Sequence, residues 1–134
     1  EKPYLWTQFC IMIKSLLIVG IGSFFGGALR YYISTLIKSY CNHAFPWGTL
    51  IVNLLGCFAL GILFALFHRL NTPHNSWCLL LTTGLCGGFT TFSTFVNESV
   101  QMLQGGNIIG FISYITTSII LGLVLITLGY KIVY

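Results

Sequence analysis

Long apolar runs alternate with short polar segments along the whole chain. The apolar runs cover about residues 15–37, 47–67, 77–103 and 108–130. Because about 20 apolar residues suffice for a helix to cross the hydrocarbon core of a bilayer, each run predicts one transmembrane helix. We expect a single four-helix transmembrane domain over residues 15–134. The lead-in before it, residues 1–14, is rich in aromatic side chains, which favours a position at the membrane interface.

The third apolar run is interrupted by residues that disfavour a helix. Gly84, Gly87 and Gly88 weaken its middle. Four hydroxyl-bearing residues follow at once, namely Thr90, Thr91, Ser93 and Thr94. Ser and Thr side chains compete with helical hydrogen bonds and make good N-caps. The pattern predicts a broken helix, with one half ending near Cys86 and the other starting near Thr91.

Non-helical backbone at this depth needs partners for its polar groups. It is tolerated only where it is buried in protein or lines a cavity, and unwound carbonyls coordinate Na⁺ in transporters. A packing kink would also explain the glycines. The dense hydroxyl cluster after them favours an ion site instead.

Polar and small residues recur at helical spacing in two other runs. They are Thr49, Asn53 and Gly56 in the second run, and Tyr114, Ser118 and Gly122 in the fourth. Residues three or four apart share one face of a helix. Each stripe alone fits a packing seam with interhelical hydrogen bonds, and the two together also fit two walls of an aqueous path.

Phe92 and Phe95 lie three residues apart, on one face of the second half of the third run. A phenylalanine ring has a negative face and a positive edge, so its edge can face an anion. Packing against lipid or the core is the ordinary role of such a residue, and the spacing does not separate the two roles.

Composition agrees with a lipid environment. Hydrophobic residues make up 56% of the chain and charged residues only 6%, with a mean hydropathy of +0.90, whereas soluble domains carry about 25% charged residues. The net charge of +4 forms no basic patch, which argues against nucleic-acid binding. The five cysteines lack a C-x-x-C spacing and are expected to pack as small hydrophobes. No metal-ligand spacing connects the histidines, which are predicted in loops: His43, His68 and His74.

The few charged residues specify orientation weakly. One side of a four-span protein would carry Lys2, Lys14, Arg69 and Lys131. The other would carry Lys38 and, if its side chain reaches outward, Arg30. Such a small bias in Lys and Arg is compatible with insertion in both orientations. Arg30 and Glu98 are the ionisable residues well within the runs, so we consider both as vestibule or structural charges.

Three motifs carry a resemblance to a known family. They are residues 26–30 (G-G-A-L-R), 48–53 (G-T-L-I-V-N) and 84–95, which read G-x-x-G-G-F-T-T-F-S-T-F. In these motifs the chain resembles the Fluc fluoride channels, the CrcB family, over nearly its whole length after the lead-in. The resemblance implies an antiparallel homodimer with dual topology in the bacterial plasma (inner) membrane. It also implies two pores that export cytoplasmic fluoride passively and selectively down its electrochemical gradient.

The resemblance also implies roles for individual residues. Phe92 and Phe95 would be the aromatic pair that lines the pore, with Asn53 as a hydrogen-bond donor to fluoride. Polar side chains along the same path would be Thr49, Ser93, Thr94, Tyr114 and Ser118. The backbone carbonyls of Gly87 and Thr90 from both subunits would hold a structural Na⁺ at the dimer centre. Glu98 would lie near a pore mouth.

Two other functions remain as alternatives, and an enzyme is not expected. A proton-coupled exporter of small cations, of the small multidrug type, needs a membrane-embedded carboxylate early in the bundle. The first run has none, and Glu98 comes late in the chain. A non-transporting membrane assembly subunit would not need the interrupted run. No nucleophile–base pairing or metal-ligand set indicates catalysis.

Overall fold

The structure, a computed structural model, describes residues 2–41, 45–72 and 75–134, and for residues 2–5 the backbone alone. Regular structure within these ranges is entirely helical. The helices are α1 (Lys2–Tyr40), α2 (Trp47–Arg69), α3 (Ser76–Leu79), α4 (Gly87–Phe89), α5 (Phe92–Gln104) and α6 (Ile108–Val133), with a π-helical segment, Leu80–Cys86, between α3 and α4.

Four stretches of the described chain are long and apolar enough to cross a membrane. They are Trp6–Tyr40, Trp47–Arg69, Ser76–Gln104 and Ile108–Val133. This confirms the prediction of an all-helical protein with four membrane spans. The third stretch, Ser76–Gln104, combines α3, the π-helical segment, α4 and α5, and is called the third span below.

The first helix is longer than the sequence predicted. It runs without a break through residues 2–14 and past residue 37 to Tyr40. A helix of 39 residues is about 58 Å long at 1.5 Å per residue, roughly twice the hydrocarbon thickness of about 30 Å. Part of α1 therefore extends beyond the hydrocarbon core. The interfacial position of the lead-in stays a prediction.

Helix α1 packs against the third span with its backbone in close contact. A Cβ atom at Gly22 would collide with the backbone of Gly84, and one at Gly26 would collide with the carbonyl of Leu85. Small residues allow helix backbones to approach this closely in membranes. The Gly22-x-x-x-Gly26 pair therefore marks the contact between the first and third spans.

Helices α2 and α6 form a second close pair. A Cβ atom at Gly61 would collide with the carbonyl of Ile126, and one at Gly129 with the carbonyl of Phe58. Val52 of α2 is fully buried. The backbones of α2 and α6 are therefore in close contact, while the outer faces of α1 and α6 remain exposed and apolar.

Two consecutive residues of the third span leave the helical conformation. Thr90 (φ −84°, ψ 158°) and Thr91 (φ −146°, ψ 122°) are extended. They separate α4, which ends at Phe89, from α5, which begins at Phe92. Below, this pair is called the interruption.

The glycine pair lies within the helix, contrary to the predicted end near Cys86. Gly87 begins α4, and the helical conformation continues to Phe89. A Cβ atom at Gly88 would collide with the backbone of Ser23. The need for a glycine here therefore comes from close packing against α1, and the helix ends only where the threonines begin.

Candidate functional site

Asn53 of α2 binds the backbone of the interruption with both ends of its amide. Its Nδ2 donates to the carbonyl of Thr91 at 3.0 Å, and the Thr91 N–H donates to Asn53 Oδ1 at 2.8 Å. The side chain thus pairs with the extended residue as a neighbouring β-strand would. The structure places Asn53 against the interruption and shows why an amide is needed there.

The hydroxyl of Thr91 caps the N-terminus of α5. Thr91 Oγ1 accepts the N–H of Thr94 at 3.3 Å, as an N-cap does. The same hydroxyl donates to Thr94 Oγ1 at 3.0 Å, and Ser93 Oγ lies 3.5 Å away. Three of the hydroxyl-bearing residues singled out in the sequence are therefore brought together. The fourth, Thr90, turns back and donates to the carbonyl of Cys86 at 3.0 Å.

These side-chain bonds redirect two backbone donors. In a continuous helix each N–H bonds the carbonyl four residues earlier, so Thr91 would bond Gly87 and Thr94 would bond Thr90. Instead, the Thr91 N–H bonds Asn53, and the Thr94 N–H bonds the Thr91 hydroxyl. The carbonyls of Gly87 and Thr90 are therefore the two that lose their usual helical donors to side chains.

Arg30 contacts the same segment from α1. Its Nε donates to the carbonyl of Gly88 at 3.2 Å. Ser23, about two turns earlier on α1, donates from Oγ to the carbonyl of Gly84 at 3.3 Å. Arg30 is therefore directed at the third span, and its contact is with backbone near the interruption.

Glu98 lies at the centre of a second polar cluster. Its Oε1 accepts the hydroxyl of Thr49 at 2.9 Å, and its Oε2 accepts the hydroxyl of Tyr114 at 3.0 Å. Both hydroxyl residues are buried, and Tyr114 is completely so. The ammonium of Lys38 lies 3.9 Å from Glu98 Oε1. The structure joins three of the predicted residues and adds Lys38, which the sequence had indicated only as a charge near a span end.

Aromatic rings form a continuous row beside this cluster. The ring centroids of Phe92 and Phe95 are 6.0 Å apart, and Phe95 lies 5.0 Å from Tyr114. Tyr114 in turn contacts Phe45 edge-on at 5.4 Å, and Phe45 lies 4.7 Å from Trp47. The predicted pair of phenylalanines is thus one end of a longer row. Sequence analysis missed Phe45, because its position before α2 carries no periodic signal.

An open cavity of 420 Å³ lies at the other end of the aromatic row. Its lining includes Lys38, Phe45, Trp47, Glu98, Gln101 and Asn107. The lining comes from the end of α1, the start of α2, the second half of α5 and the turn before α6. This cavity is called the vestibule below. Glu98, Tyr114 and Phe95 connect it with Phe92, whose side chain is 77% exposed in the single chain.

Ser118 lies one turn beyond Tyr114 on α6. Its Oγ is buried, and no hydrogen-bond partner for it exists among the described residues. Gly122, one turn further, faces Cys57 of α2, whose Sγ would lie 3.6 Å from a Cβ atom there. Within the polar stripe of the fourth run, Gly122 thus faces α2, whereas Tyr114 contacts α5 through Glu98 and Phe95.

The described residues contain no group of three or more His, Cys, Asp or Glu side chains that could hold a metal ion. His68 contacts the hydroxyl of Tyr134, and His43 and His74 lie outside the described residues. Any cation bound at the interruption would therefore depend on backbone carbonyls and hydroxyls.

Comparison with known proteins gives a consistent result. The profile of a family described as "CrcB-like protein, Camphor Resistance (CrcB)" matches residues 17–130. The chain is 45% identical over 117 residues to the "Fluoride-specific ion channel FluC" of Phocaeicola vulgatus, covering 87% of this chain and 96% of the relative. It is 42% identical over 110 residues to the protein of the same name from Leptospira interrogans, covering 82% and 87%. The Chloroflexus aurantiacus protein of that name is 39% identical over 117 residues, covering 87% and 93%.

Replacing Asn53 with Leu should destabilise the interruption. Asn53→Leu leaves the N–H of Thr91 without a partner and takes one of the donors from its C=O, and leaving a buried polar group unsatisfied costs about 1–3 kcal/mol. Hydrogen exchange at the Thr91 amide in detergent should accelerate, and the thermal midpoint should fall. Asn97→Leu, at an exposed position of α5, serves as the matched control. Unchanged protection of the Thr91 amide in Asn53→Leu would show that Asn53 does not hold the interruption.

Proposed function

The chain belongs to the CrcB family, and from this premise we infer that it is a fluoride-specific ion channel of a cell membrane. The observation that carries this function is the match to proteins named "Fluoride-specific ion channel FluC", 37–45% identical over most of the chain. It is a multi-pass membrane protein, and in bacteria its membrane is the plasma membrane. It is a channel and not an enzyme.

Passive conduction suffices for fluoride export. Hydrogen fluoride is a weak acid that crosses membranes in its neutral form and dissociates in a less acidic cytoplasm, where fluoride accumulates. A selective path for the anion then lets fluoride leave down its electrochemical gradient without a pump. Conduction requires binding that replaces hydration yet permits release, and weak donors meet this requirement better than a fixed ammonium in the middle of the path.

The aromatic row supplies weak donors of this kind for the proposed pore. Phe92 and Phe95 would present ring edges, which are positive, toward a passing anion. The hydroxyls of Ser93 and Thr94 lie beside Phe92 and Phe95 on α5, and that of Ser118 extends the path along α6. Ser118 Oγ, buried without a partner among the described residues, has a donor available for fluoride.

Other predicted pore residues would act mainly through their neighbours. Thr49 and Tyr114 bond the carboxylate of Glu98, so they would orient the vestibule end of the pore. Asn53 uses one amide hydrogen and its oxygen on Thr91. Since an amide carries two N–H donors, its second hydrogen remains for a contact with fluoride.

Neither alternative function gains support. A proton-coupled cation exporter would use Glu98 as its proton-binding carboxylate, but this group accepts two hydroxyl hydrogen bonds and lies beside Lys38. A non-transporting assembly subunit would not need an interrupted membrane span whose freed backbone groups are hydrogen-bonded by another helix.

A structural Na⁺ at the dimer centre is proposed at the interruption. The carbonyls of Gly87 and Thr90 have lost their usual donors to Asn53 and Thr91. Carbonyl oxygens are suitable ligands for Na⁺, and unwound carbonyls serve this purpose in transporters. Two copies of the pair would provide four oxygens, so the ion would also join two subunits.

An antiparallel homodimer with dual topology is proposed for the assembly. Exposed apolar side chains on α1, among them Phe24 and Phe25, and the exposed ring of Phe92 suit contact with a second copy or with lipid. The small difference in Lys and Arg between the two sides supports insertion in both orientations. In an antiparallel pair each side of the membrane would have one vestibule.

Fluoride efflux from proteoliposomes tests the channel function. Vesicles loaded with fluoride should release it rapidly without a proton gradient, and vesicles loaded with chloride should release almost none. Protein-free vesicles give the background leak. Equal chloride efflux, or fluoride efflux only with a proton gradient, would contradict a fluoride-specific channel.

The aromatic pair should be required for flux and not for assembly. Phe92→Ala and Phe95→Ala should each slow fluoride efflux about two- to tenfold, up to about 1.4 kcal/mol on the barrier, since an aromatic contact is worth about 0.5–1.5 kcal/mol. Phe9→Ala, in the lead-in, is the matched control and should conduct normally. If both pore variants conduct at the normal rate while eluting like the unmodified protein, the rings do not line the pore.

The assembly should depend on sodium. In detergent the protein should have the mass of a dimer in Na⁺, and its thermal midpoint should fall when N-methylglucamine replaces Na⁺, because a ligand that binds only the folded state stabilises it.

Membrane-impermeant labelling of Cys10 should succeed from both sides of the membrane, in separate populations. A monomer, an unchanged midpoint or one-sided labelling would contradict the dimer, the sodium site or the dual topology respectively.

A further inference from the structure

The two charged side chains that line the vestibule differ in exposure and in hydrogen bonding. The Glu98 carboxylate is 14% exposed and accepts hydroxyl hydrogen bonds from Thr49 and Tyr114. The Lys38 side chain is 55% exposed, and its ammonium lies 3.9 Å from Glu98 Oε1. The carboxylate is therefore fixed by neighbours on α2 and α6, whereas the ammonium is on a long, exposed stem.

The position of this pair matters for an anion that enters from water. Among the described residues, Lys38 and Glu98 are the charged ones that line the vestibule. A carboxylate alone at this point would repel an anion before it reached Tyr114 and the aromatic row. Lys38 removes that repulsion. Gly48 and Trp47, at the start of α2, line the same cavity, so the positive end of that helix also faces it.

The ammonium of Lys38 can also exchange Glu98 for another anionic partner. A pair with one partner this exposed is weak and screened by water, so the ammonium can leave Glu98 for another anion at little cost. The flexible four-carbon stem of lysine permits such movement without a change in the helix. Gln101 and Asn107, which also line the vestibule, offer amide donors beside the ammonium.

We propose that Lys38 captures anions in the vestibule, where its ammonium moves from Glu98 to an entering fluoride ion and delivers it toward Tyr114. This inference rests on the proposed channel function and adds an outer anion site to it. Because the site is hydrated and the pair weak, the ammonium releases the ion inward and returns to Glu98. Lys38 thus raises the rate of entry without becoming a trap within the membrane.

Charge variants at Lys38 test the capture role. Fluoride efflux is measured at low fluoride in sodium gluconate of about 0.01 M and about 1 M, where the screening length is about 30 Å and 3 Å. At low salt, Lys38→Gln should slow efflux about threefold, the Boltzmann factor for one elementary charge about 7 Å from the ion in water. Lys38→Glu should slow it about ninefold, and Lys38→Arg should conduct normally.

High salt distinguishes capture from a structural role. At about 1 M salt the Gln and Glu variants should approach the unmodified rate, because the charge is screened. Lys131→Gln removes a charge at the end of α6, away from the vestibule, and should conduct normally at both salt concentrations. A loss in Lys38→Gln that is equal at both concentrations, or no loss at all, would overturn the proposal.

The unmodified protein provides a test that does not depend on folding of a variant. Its own low-fluoride efflux should fall about threefold from low to high salt, and salt-independent efflux would also overturn the capture role. An unmodified protein that releases no fluoride under any condition would instead contradict the channel function itself, so the two failures are distinguishable.

Discussion

Two hydrogen bonds between the Asn53 side chain and the backbone of Thr91 are the interaction on which the interrupted third span depends. In hydrocarbon each unpaired N–H or C=O costs several kcal/mol, and the N–H of the extended Thr91 has no helical partner. The Asn53 amide supplies one acceptor at 2.8 Å and one donor at 3.0 Å. A single side chain on α2 thereby stabilises a backbone conformation that lipid does not permit.

Other contacts around the interruption pair further backbone groups within the protein. Arg30 and Ser23, both on α1, donate to the carbonyls of Gly88 and Gly84. The Thr91 hydroxyl takes the N–H of Thr94. The carbonyls of Gly87 and Thr90 are left without their usual donors, which is why a cation site is proposed there. The close approach of α1 that allows these contacts depends on glycines that face backbone.

The partly buried carboxylate of Glu98 organises the middle of α5. It joins α2 through Thr49 and α6 through Tyr114, and Tyr114 also carries the aromatic row from Phe95 to Phe45. In the proposed channel an acidic group at this position needs its charge balanced, and the ammonium of Lys38 lies 3.9 Å from it. The hydrogen bonds of Glu98 and the proposed role of Lys38 therefore belong to one arrangement.

The sequence by itself determined the four spans, because apolar runs of about 20 residues admit little else. It also determined where the third span is interrupted to within a few residues, because hydroxyls compete with helical hydrogen bonds. The predicted end near Cys86 was wrong, since the helix continues through the glycine pair, where Gly88 packs against α1. Only the tertiary structure decided that Asn53 pairs with Thr91, 38 residues away, and that Lys38 reaches Glu98. Helical periodicity shows which residues share a face, but the alignment of two helices along their axes depends on backbone contacts such as that of Gly61 with Ile126.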